Sequence, residues 1–277
     1  MPAQNLPGIV LDRVHPLARG LVMWLPMNEG GGTRVLDISG NGNHGAFGNI
    51  VQGPTSGWTG GALGAAVRID GSDDQITVPT SKSLAVLSDI TLCAWINITS
   101  FASNGLIYGK GATYPNPYSF VYYTDKRLAF TRGNGVSQGF IESVSTIVGG
   151  RPEFVVASWS GGVNKIYIDG VLRDSNSGSN PTVTDNGLPL YIGRRSDAVV
   201  PFAGSMWHLR IYNRALDARE VAQLYANPLA GALAPSRLTR LYTVPVASPP
   251  AAATGPLSSD RLYNRSLARI FRRGETG

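Results

Sequence analysis

The stretch "SMWHLRIYNRALDAREVAQLYANP", residues 205–228, contains a predicted strand followed by the one clear helix signal of the chain. Residues 205–213 are mainly apolar and aromatic, which is typical of a buried β-strand. In the second half, Asp217 can cap the free amides of a helix, and Glu220, three residues later, completes a capping box. Apolar residues recur at helical spacing up to Pro228, which ends the helix: Val221, Leu224 and Tyr225.

Ten other runs have β character and are bounded by Gly, Pro, Asn, Asp or Ser. They lie at residues 21–27, 65–71, 75–79, 89–98, 105–111, 118–123, 127–133, 153–160, 164–170 and 189–193. In "YIDGVL", the pair Asp169 and Gly170 predicts a β-hairpin with a type I′ turn, because both residues tolerate positive φ. Eleven strands and one helix predict an all-β fold in which two antiparallel sheets pack as a sandwich.

Composition limits how this fold can be stabilised. The chain has 277 residues, of which 43% are hydrophobic and 15% are charged, and this is enough to bury a sizeable core. Its single cysteine, Cys93, excludes a disulfide framework and a cysteine-rich zinc site. Cys93 alternates into the apolar face of "TLCAW", so we expect it to be a core residue and not a nucleophile.

Six segments occur in an order that resembles the laminin-G-like, concanavalin A-like jelly-roll family. They are "LVMWLPMNEGGGTRVLDISGNGNHG", "AVRIDGSDDQITVP", "DITLCAWIN", "FVVASWSGGVNKIYIDG", "LYIGRR" and "FAGSMWHLRIYNRALDAREVAQLY". The resemblance covers about residues 21–228 and leaves 1–20 as an N-terminal extension and 229–277 as a C-terminal arm. It implies a two-sheet jelly-roll sandwich that serves as a binding module on extracellular, adhesive or virion proteins, and it does not imply an enzyme.

The stretch "LDISGNGNHGAF", residues 36–47, is dense in turn formers and oxygen ligands. The favoured interpretation is a tight structural corner, in which side chains bond the backbone and glycines adopt positive φ. The alternative, suggested by the family's occasional structural calcium, needs six to eight oxygens. Residues that can supply them if two loops meet are Asp37, Asn41, Asp70, Asp73 and Asp74.

The three histidines do not form an evident zinc site. His44 would need further nitrogen ligands, and only His15 and His208 exist elsewhere in the chain. We therefore expect His44 to pack within its loop.

Carboxylate spacing argues against catalysis. A glycosidase on this kind of sandwich needs two acids flanking the scissile bond. The five glutamates (29, 142, 153, 220 and 275) have no second acid two or four residues away on a predicted strand. The glycine clusters also lack the spacing of phosphate-binding loops, so we expect no enzymatic activity.

Aromatic residues near loops are candidates for glycan contact, because sugar rings stack on exposed aromatic faces and amides bond their hydroxyls. The segment "KGATYPNPYSF", residues 110–120, supplies Tyr114, Asn116 and Tyr118, and Trp58 is a further candidate. The alternative is that these side chains pack on the sheet.

The C-terminal arm carries most of the positive charge. Residues 229–277 contain seven arginines against two acids, a net charge of +5 out of the chain's +6. From about residue 259, apolar and basic residues fall on opposite sides of a predicted helix. We expect this helix to dock on a partner through its apolar and basic residues. These are Arg261, Tyr263, Arg265, Leu267, Arg269, Ile270, Phe271 and Arg272. The alternative is a solvated tail.

Two functions remain open at this stage. The first is a virion structural protein of a tailed phage, such as a capsid decoration or fibre-type subunit, made in the host cytoplasm and oligomeric in its assembly. The second is a bacterial carbohydrate-binding or adhesion protein, at the cell surface or secreted. Residues 1–20 show no export signal and no run of about 18 apolar residues predicts a membrane span, which favours the first function. We expect no specific nucleic-acid partner and no required cofactor, with calcium as a structural ion at most.

Overall fold

The computed structural model describes residues 8–233, apart from 62–63, 112–115, 137, 178–181, 196 and 198–199. Within this part of the chain, sixteen strands form two eight-stranded sheets in which every strand pair is antiparallel. The predicted all-β, two-sheet sandwich is therefore confirmed. The arm residues from Arg261 to Arg272 that we expect to dock on a partner lie outside the described residues.

The strand predicted at residues 205–213 lies near the centre of the first sheet. Its members are β1 (Leu21–Leu25), β4 (Gly57–Gly61), β5 (Gly64–Asp70), β7 (Ile90–Ile98), β12 (Glu153–Ser160), β13 (Val163–Ile168), β14 (Val171–Ser177) and β16 (Ala203–Tyr212). The order across the sheet is β14-β13-β12-β7-β16-β5-β4, and β1 also pairs with β16.

The second sheet runs in the order β11-β10-β9-β8-β15-β6-β3-β2. Its members are β2 (Arg34–Val35), β3 (Gly45–Gly48), β6 (Gln75–Val78), β8 (Gly105–Lys110), β9 (Tyr118–Tyr122), β10 (Arg127–Gly133), β11 (Gln138–Thr146) and β15 (Leu190–Ile192). All eleven predicted runs contain a strand, and the strands β2, β3, β4, β11 and β14 were not predicted.

Alternation within the strands builds the core between the sheets. On β9, Tyr118, Phe120 and Tyr122 face the main core, whereas Val121 belongs to a small cluster on the other side of the sheet. Cys93 is buried, as predicted, and burial raises the pKa of its thiol to about 12. A buried thiol of this kind behaves as a small apolar side chain and not as a nucleophile.

The helix α1 (Ala218–Ala226) has the predicted capping box. Asp217 accepts the backbone amide of Glu220 at 2.8 Å, and Glu220 accepts the amide of Asp217 at 3.0 Å. The helix covers the outer face of the first sheet, where Tyr225 stacks on Trp95 with the ring centroids 5.7 Å apart. No helix in the described residues is long and apolar enough to cross a membrane.

The predicted hairpin at Asp169 and Gly170 is also present. Both residues have positive φ, of 52° and 78°, and Ile168 pairs with Val171 across the turn. These are the backbone angles that a type I′ turn requires.

Both ends of the described chain pack on the sandwich. Leu17 is buried in the core, Leu11 pairs with Ala232, and the amide of Asp12 donates to the carbonyl of Gly231 at 2.8 Å. The packed body therefore begins before residue 21 and continues past residue 228. The N-terminal residues 11–17 and the first residues of the C-terminal arm, 230–232, belong to this body.

Candidate functional site

The corner at residues 36–47 closes the free edge of β1. The carboxylate of Asp37 accepts the amides of Trp24, Ser39 and Asn43, each at 2.9 Å, and also the hydroxyl of Ser39 at 2.7 Å. Side chains of the same loop donate to β1 carbonyls: Ser39, Asn41 and Asn43 all bond Val22 O. The polar residues of this loop thus take the place of a neighbouring strand.

This geometry supports the structural interpretation of the corner. The four donors on Asp37 occupy the acceptor positions that a carboxylate has, so none is left for an ion. Asn41 is engaged on β1 through its amide nitrogen. The expectation that Asp37 contributes to a calcium site is therefore wrong, because its oxygens hold the backbone.

The histidines occupy structural positions. His44 Nδ1 accepts the amide of Asp37 at 2.9 Å, so His44 packs within its own loop as expected. His208 is buried on β16, and burial, together with the neighbouring Arg210 charge, lowers its pKa to about 3. Among the described residues, the only group of three or more His, Cys, Asp or Glu that could hold a metal is formed by Asp70, Asp73 and Asp74.

The loop between β5 and β6 brings three carboxylates together. Ligand atoms of Asp70, Asp73 and Asp74 all lie within 4.8 Å of one another. Asp74 is buried and accepts the hydroxyl of Ser56 at 2.6 Å and the amide of Asp70 at 2.9 Å. Burial raises the pKa of Asp74, and the charges of Asp70 and Asp73 act in the same direction.

These three acids fit a hard cation in part. Calcium takes six to eight oxygen ligands. The carboxylates of Asp70 and Asp73 are exposed to solvent and could supply two or more of them beside Asp74. The remaining ligands would be backbone carbonyls or waters. We refer to Asp70, Asp73 and Asp74 as the acidic loop.

The residues expected to contact glycans are mostly buried. Trp58 is 8% exposed, and its indole nitrogen donates to Gly32 O at 2.8 Å. Tyr118 is fully buried, and its hydroxyl donates to Leu84 O at 2.9 Å. Neither residue presents a ring face to solvent, so the expectation that they stack on a sugar is wrong. Asn116 is buried, and Tyr114 lies outside the described residues.

The outer face of the second sheet is covered at its centre. Leu106, Val121 and Ala129 form a small buried cluster there. The side chains packed against this cluster are those of Tyr123, Tyr191 and Val200. A ligand therefore cannot lie directly on the middle of this face.

One end of the sandwich is closed by residues 79–89, which connect β6 in the second sheet to β7 in the first; we call them the end loop. Arg132, Tyr118 and Lys110 form a cross-strand row on the inner face of the second sheet. Each of the three side chains donates one hydrogen bond to the end loop. The bonds are Arg132 to Val86 O at 3.3 Å, Tyr118 to Leu84 O at 2.9 Å and Lys110 to Thr80 Oγ1 at 3.2 Å.

The buried cations of this row are held differently. Arg132 lies 4.5 Å from the centre of the Trp159 ring, and burial lowers its pKa to about 10. Lys110 is fully buried and forms an ion pair with Asp185 at 3.1 Å and a hydrogen bond to Leu188 O at 2.6 Å. Lys110 thus ties the end loop to the segment that precedes β15.

A pocket of about 390 Å³ opens beside this ion pair. Its lining residues are Thr80, Ser81, Lys82, Ala85 and Asp185, and we call it the end-loop pocket. Sequence reasoning missed it, because Lys110 stands in the apolar run "GLIYGKG" and its partners are remote in the chain. The signal that was available was the charged residue inside an otherwise apolar strand.

A second pocket, of about 330 Å³, lies on the outer face of the first sheet near the start of α1. Two of its polar groups have protein partners: Asp217 caps the helix, and Ser160 donates to Asp89 at 2.8 Å. Lys165 also lines it.

The glutamates of the described chain all make structural contacts. Glu29 accepts Leu36 N, Glu142 pairs with Arg127, Glu153 accepts Val148 N and Gly149 N, and Glu220 caps α1 and pairs with Arg214. None of these four carboxyl groups stands free in a cleft as a catalytic acid would need to do.

Solved structures with the same fold include binding domains and one enzyme. The binding domain of Paraclostridial Mosquitocidal Protein 1 matches with a TM-score of 0.58 and 18% identity over 76% of this chain. This chain spans about half, 52%, of that domain. Domain 4 of AbnA, a GH43 extracellular arabinanase from Geobacillus stearothermophilus, solved with arabinotriose, has a TM-score of 0.57 and 20% identity. The match covers 74% of this chain and 98% of that domain.

The enzyme is Trypanosoma rangeli sialidase, solved with the inhibitor DANA. It has a TM-score of 0.52 and 16% identity, and the match covers 73% of this chain but only 32% of the sialidase. At these identities the likeness establishes the fold. No curated protein sequence matches the chain.

The sequence itself also matches a family model. The model describes the concanavalin A-like lectin/glucanases superfamily, and residues 70–222 match it. This range begins at the acidic loop, includes the end loop and both central strands β7 and β16, and extends into α1. It is more than half of the 277 residues and agrees with the two-sheet architecture, so the chain belongs to the concanavalin A-like lectin/glucanase superfamily.

Proposed function

We propose that this protein is a non-catalytic carbohydrate-recognition module. The observation that carries the proposal is the match to domain 4 of the arabinanase AbnA, because 98% of that domain, solved with arabinotriose, is covered by this chain. A sandwich of the same extent supplies a rigid body on which loops can present sugar-binding groups.

The contacts of the four described glutamates favour a role in binding over turnover. Hydrolysis of a glycosidic bond needs two carboxyl groups facing each other across a cleft. Glu29, Glu142, Glu153 and Glu220 are each held by backbone amides or arginines. The sialidase likeness covers only 32% of that enzyme, which leaves most of that chain unmatched.

A glycan array tests this proposal directly. The full chain is applied to an array that includes arabinan oligosaccharides and sialylated glycans, once with calcium and once with a chelator. We expect selective retention of at least one glycan class and no release of cleaved product. An absence of binding to every glycan in both conditions would contradict the proposal.

We also propose calcium as a structural ion at the acidic loop. Asp70 and Asp73 would supply exposed carboxylates, while Asp74, bonded to Ser56, keeps the loop in place. An ion there would neutralise three acids that lie within 4.8 Å of each other and so stabilise the turn between β5 and β6.

A second candidate function concerns the setting in which the module acts. The sequence of residues 229–277, with seven arginines against two acids, favours a virion structural subunit anchored through this arm. In that setting the sandwich would be displayed on a tailed phage particle as a decoration or fibre-type subunit. The alternative setting is a bacterial cell surface or the secreted fraction.

Deletion of residues 234–277 tests the anchoring role, because it removes all seven arginines of the arm and keeps every contact described up to residue 233. We expect the shortened protein to keep its glycan binding and to be lost from purified particles. Incorporation at the wild-type level would remove the arm as an anchor and leave the recognition role intact.

A further inference from the structure

We infer that the end-loop pocket is the sugar-binding subsite and that it accepts a single sugar residue through polar contacts. This inference rests on the proposed carbohydrate-recognition function and names the place and the ligand class. None of the pocket's lining residues is among those that the sequence pointed to.

The pocket contains a carboxylate that forms an ion pair with a buried lysine. Asp185 lines the pocket, and its partner Lys110 is fully buried and held by Thr80 Oγ1 and Leu188 O. A fully buried lysine is rare unless it is paired, and this pair restrains the Asp185 carboxylate. The Asp185 side chain remains 31% exposed, so it can accept hydrogen bonds from a ligand.

Hydrogen-bond donors also line the pocket. Lys82 and Thr80 are exposed on the end loop, and both line the pocket. Ser81 is already engaged, since its hydroxyl donates to Asn43 at 2.7 Å and accepts Leu84 N at 3.4 Å. A carboxylate acceptor and an ammonium donor in one pocket suit the hydroxyl groups of a sugar ring, because each hydroxyl both donates and accepts.

Size and lining composition set the ligand class. The volume of about 390 Å³ is at the lower end of the range for small-ligand pockets and fits one sugar ring rather than a chain. None of the described residues that line the pocket is aromatic, so the contacts that they offer a sugar are mainly polar. We therefore expect a dissociation constant on the order of millimolar for one residue, with stronger attachment only when several copies bind together.

Saturation-transfer NMR with monosaccharides tests the inference. The probes are methyl glycosides of L-arabinose, D-galactose, D-mannose and D-glucose, and N-acetylneuraminic acid, each added to the full chain. The variants are Lys82→Ala, which changes an exposed side chain, and Asp185→Asn. The matched control is Lys165→Ala, which removes a lysine from the other pocket of similar volume, about 330 Å³.

We expect at least one monosaccharide to bind the wild type, and both end-loop variants to weaken this binding about tenfold or more while the control leaves it unchanged. Unchanged binding in Lys82→Ala and Asp185→Asn would overturn the pocket and leave the recognition function standing. Binding of oligosaccharides on the array without any monosaccharide signal would overturn the single-residue class alone. If neither probe set binds the wild type, the proposed function fails together with this inference.

Discussion

The carboxylate of Asp37 accepts the backbone amide of Trp24 at 2.9 Å and so joins a glycine-rich corner to β1. On its other side β1 pairs with β16, the central strand of the first sheet. The corner therefore replaces a missing ladder with side-chain hydrogen bonds, and Asp37 alone contributes acceptors for four of them. A single carboxylate in this position organises both the loop and the strand edge.

Replacing Asp37 by Ala should cost about 3–5 kcal/mol of unfolding free energy, because several buried donors lose their charged acceptor at once. Urea denaturation monitored by tryptophan fluorescence measures this loss. The control is Asp73→Ala, an exposed acid, for which we expect a change within about 0.5 kcal/mol without calcium. Equal effects of the two substitutions would contradict the structural role of Asp37.

His208 should make the protein labile to acid. Its pKa is lowered to about 3 by burial, while in the unfolded chain it is near 6.5. The folded state therefore holds His208 neutral. The contribution of this residue to the unfolding free energy is fully present above about pH 6.5 and is lost as the pH falls toward 3. Between these two pH values the unfolding free energy should fall by about 1.4 kcal/mol per pH unit, because unfolding takes up one proton.

His208→Asn provides the comparison, because asparagine tolerates the positive φ of 51° at this position. Glu29 and Asp74, whose pKa values burial raises, respond to pH with the opposite sign but are present in both proteins. The difference between the two stability curves thus isolates His208. Parallel curves between pH 6.5 and pH 4 would show that His208 is not buried neutral.

Local chemistry made part of the fold predictable. The helix α1 and the hairpin at Asp169 follow from short-range rules, a capping box and positive φ, that the sequence displays directly. The missed strands β4, "GWTGG", and β14, "VLRDSNS", are rich in glycine or polar residues. They are strands because a neighbour pairs with them, and pairing partners are not visible in single-sequence propensity.

The candidate site was less predictable than the fold. The sequence points to the segment 110–120 as a glycan-binding loop, but its Tyr118 side chain is buried in the core. The residue of this segment that bears on the pocket is Lys110, through its ion pair with Asp185. The pocket arises where Lys110 meets Asp185 and Thr80, which are distant along the chain. The pairing of β8 with β9 and β15 helps to bring these residues together, and this register depends on the whole sheet.

Calcium should stabilise the protein through the acidic loop. At a free concentration a hundred times the dissociation constant, binding to the folded state alone adds about 2.7 kcal/mol. We expect calorimetry to show a higher Tm in calcium than in EDTA, and Asp70→Asn with Asp73→Asn to abolish the difference. The control Asp125→Asn changes an exposed acid elsewhere and should retain it. A calcium effect that survives in the double variant would place the ion away from this loop.

Two truncations should separate the body from the arm. Removal of residues 234–277 keeps every contact described up to residue 233, so this truncation serves as the reference for the packed body. Removal of residues 229–277 also deletes Ala230, Gly231 and Ala232, which contact the N-terminal segment. We expect a further loss of about 1–3 kcal/mol, since the amide of Asp12 and the apolar contacts lose their partners. Equal stability of the two truncations would mean that the body ends at residue 228.

The ion pair between Lys110 and Asp185 should be measurable as a coupling energy. Lys110→Met keeps the volume of the side chain but removes the ammonium from Asp185, Thr80 and Leu188, so we expect a loss of about 1–3 kcal/mol. The loss is smaller than for a fully buried pair because Asp185 is 31% exposed and can recover water. Asp185→Asn alone should cost less than Lys110→Met, since Lys110 keeps two oxygen partners.

The double variant then closes a thermodynamic cycle. If the pair interacts directly, the combined loss falls short of the sum of the single losses by about 0.5–2 kcal/mol. Salt should reduce this coupling only slightly, because Lys110 has no solvent exposure and screening acts mainly on exposed charges. Strict additivity of the two substitutions would show that Lys110 holds the end loop through Thr80 and Leu188 alone, and that Asp185 is free to move within the pocket.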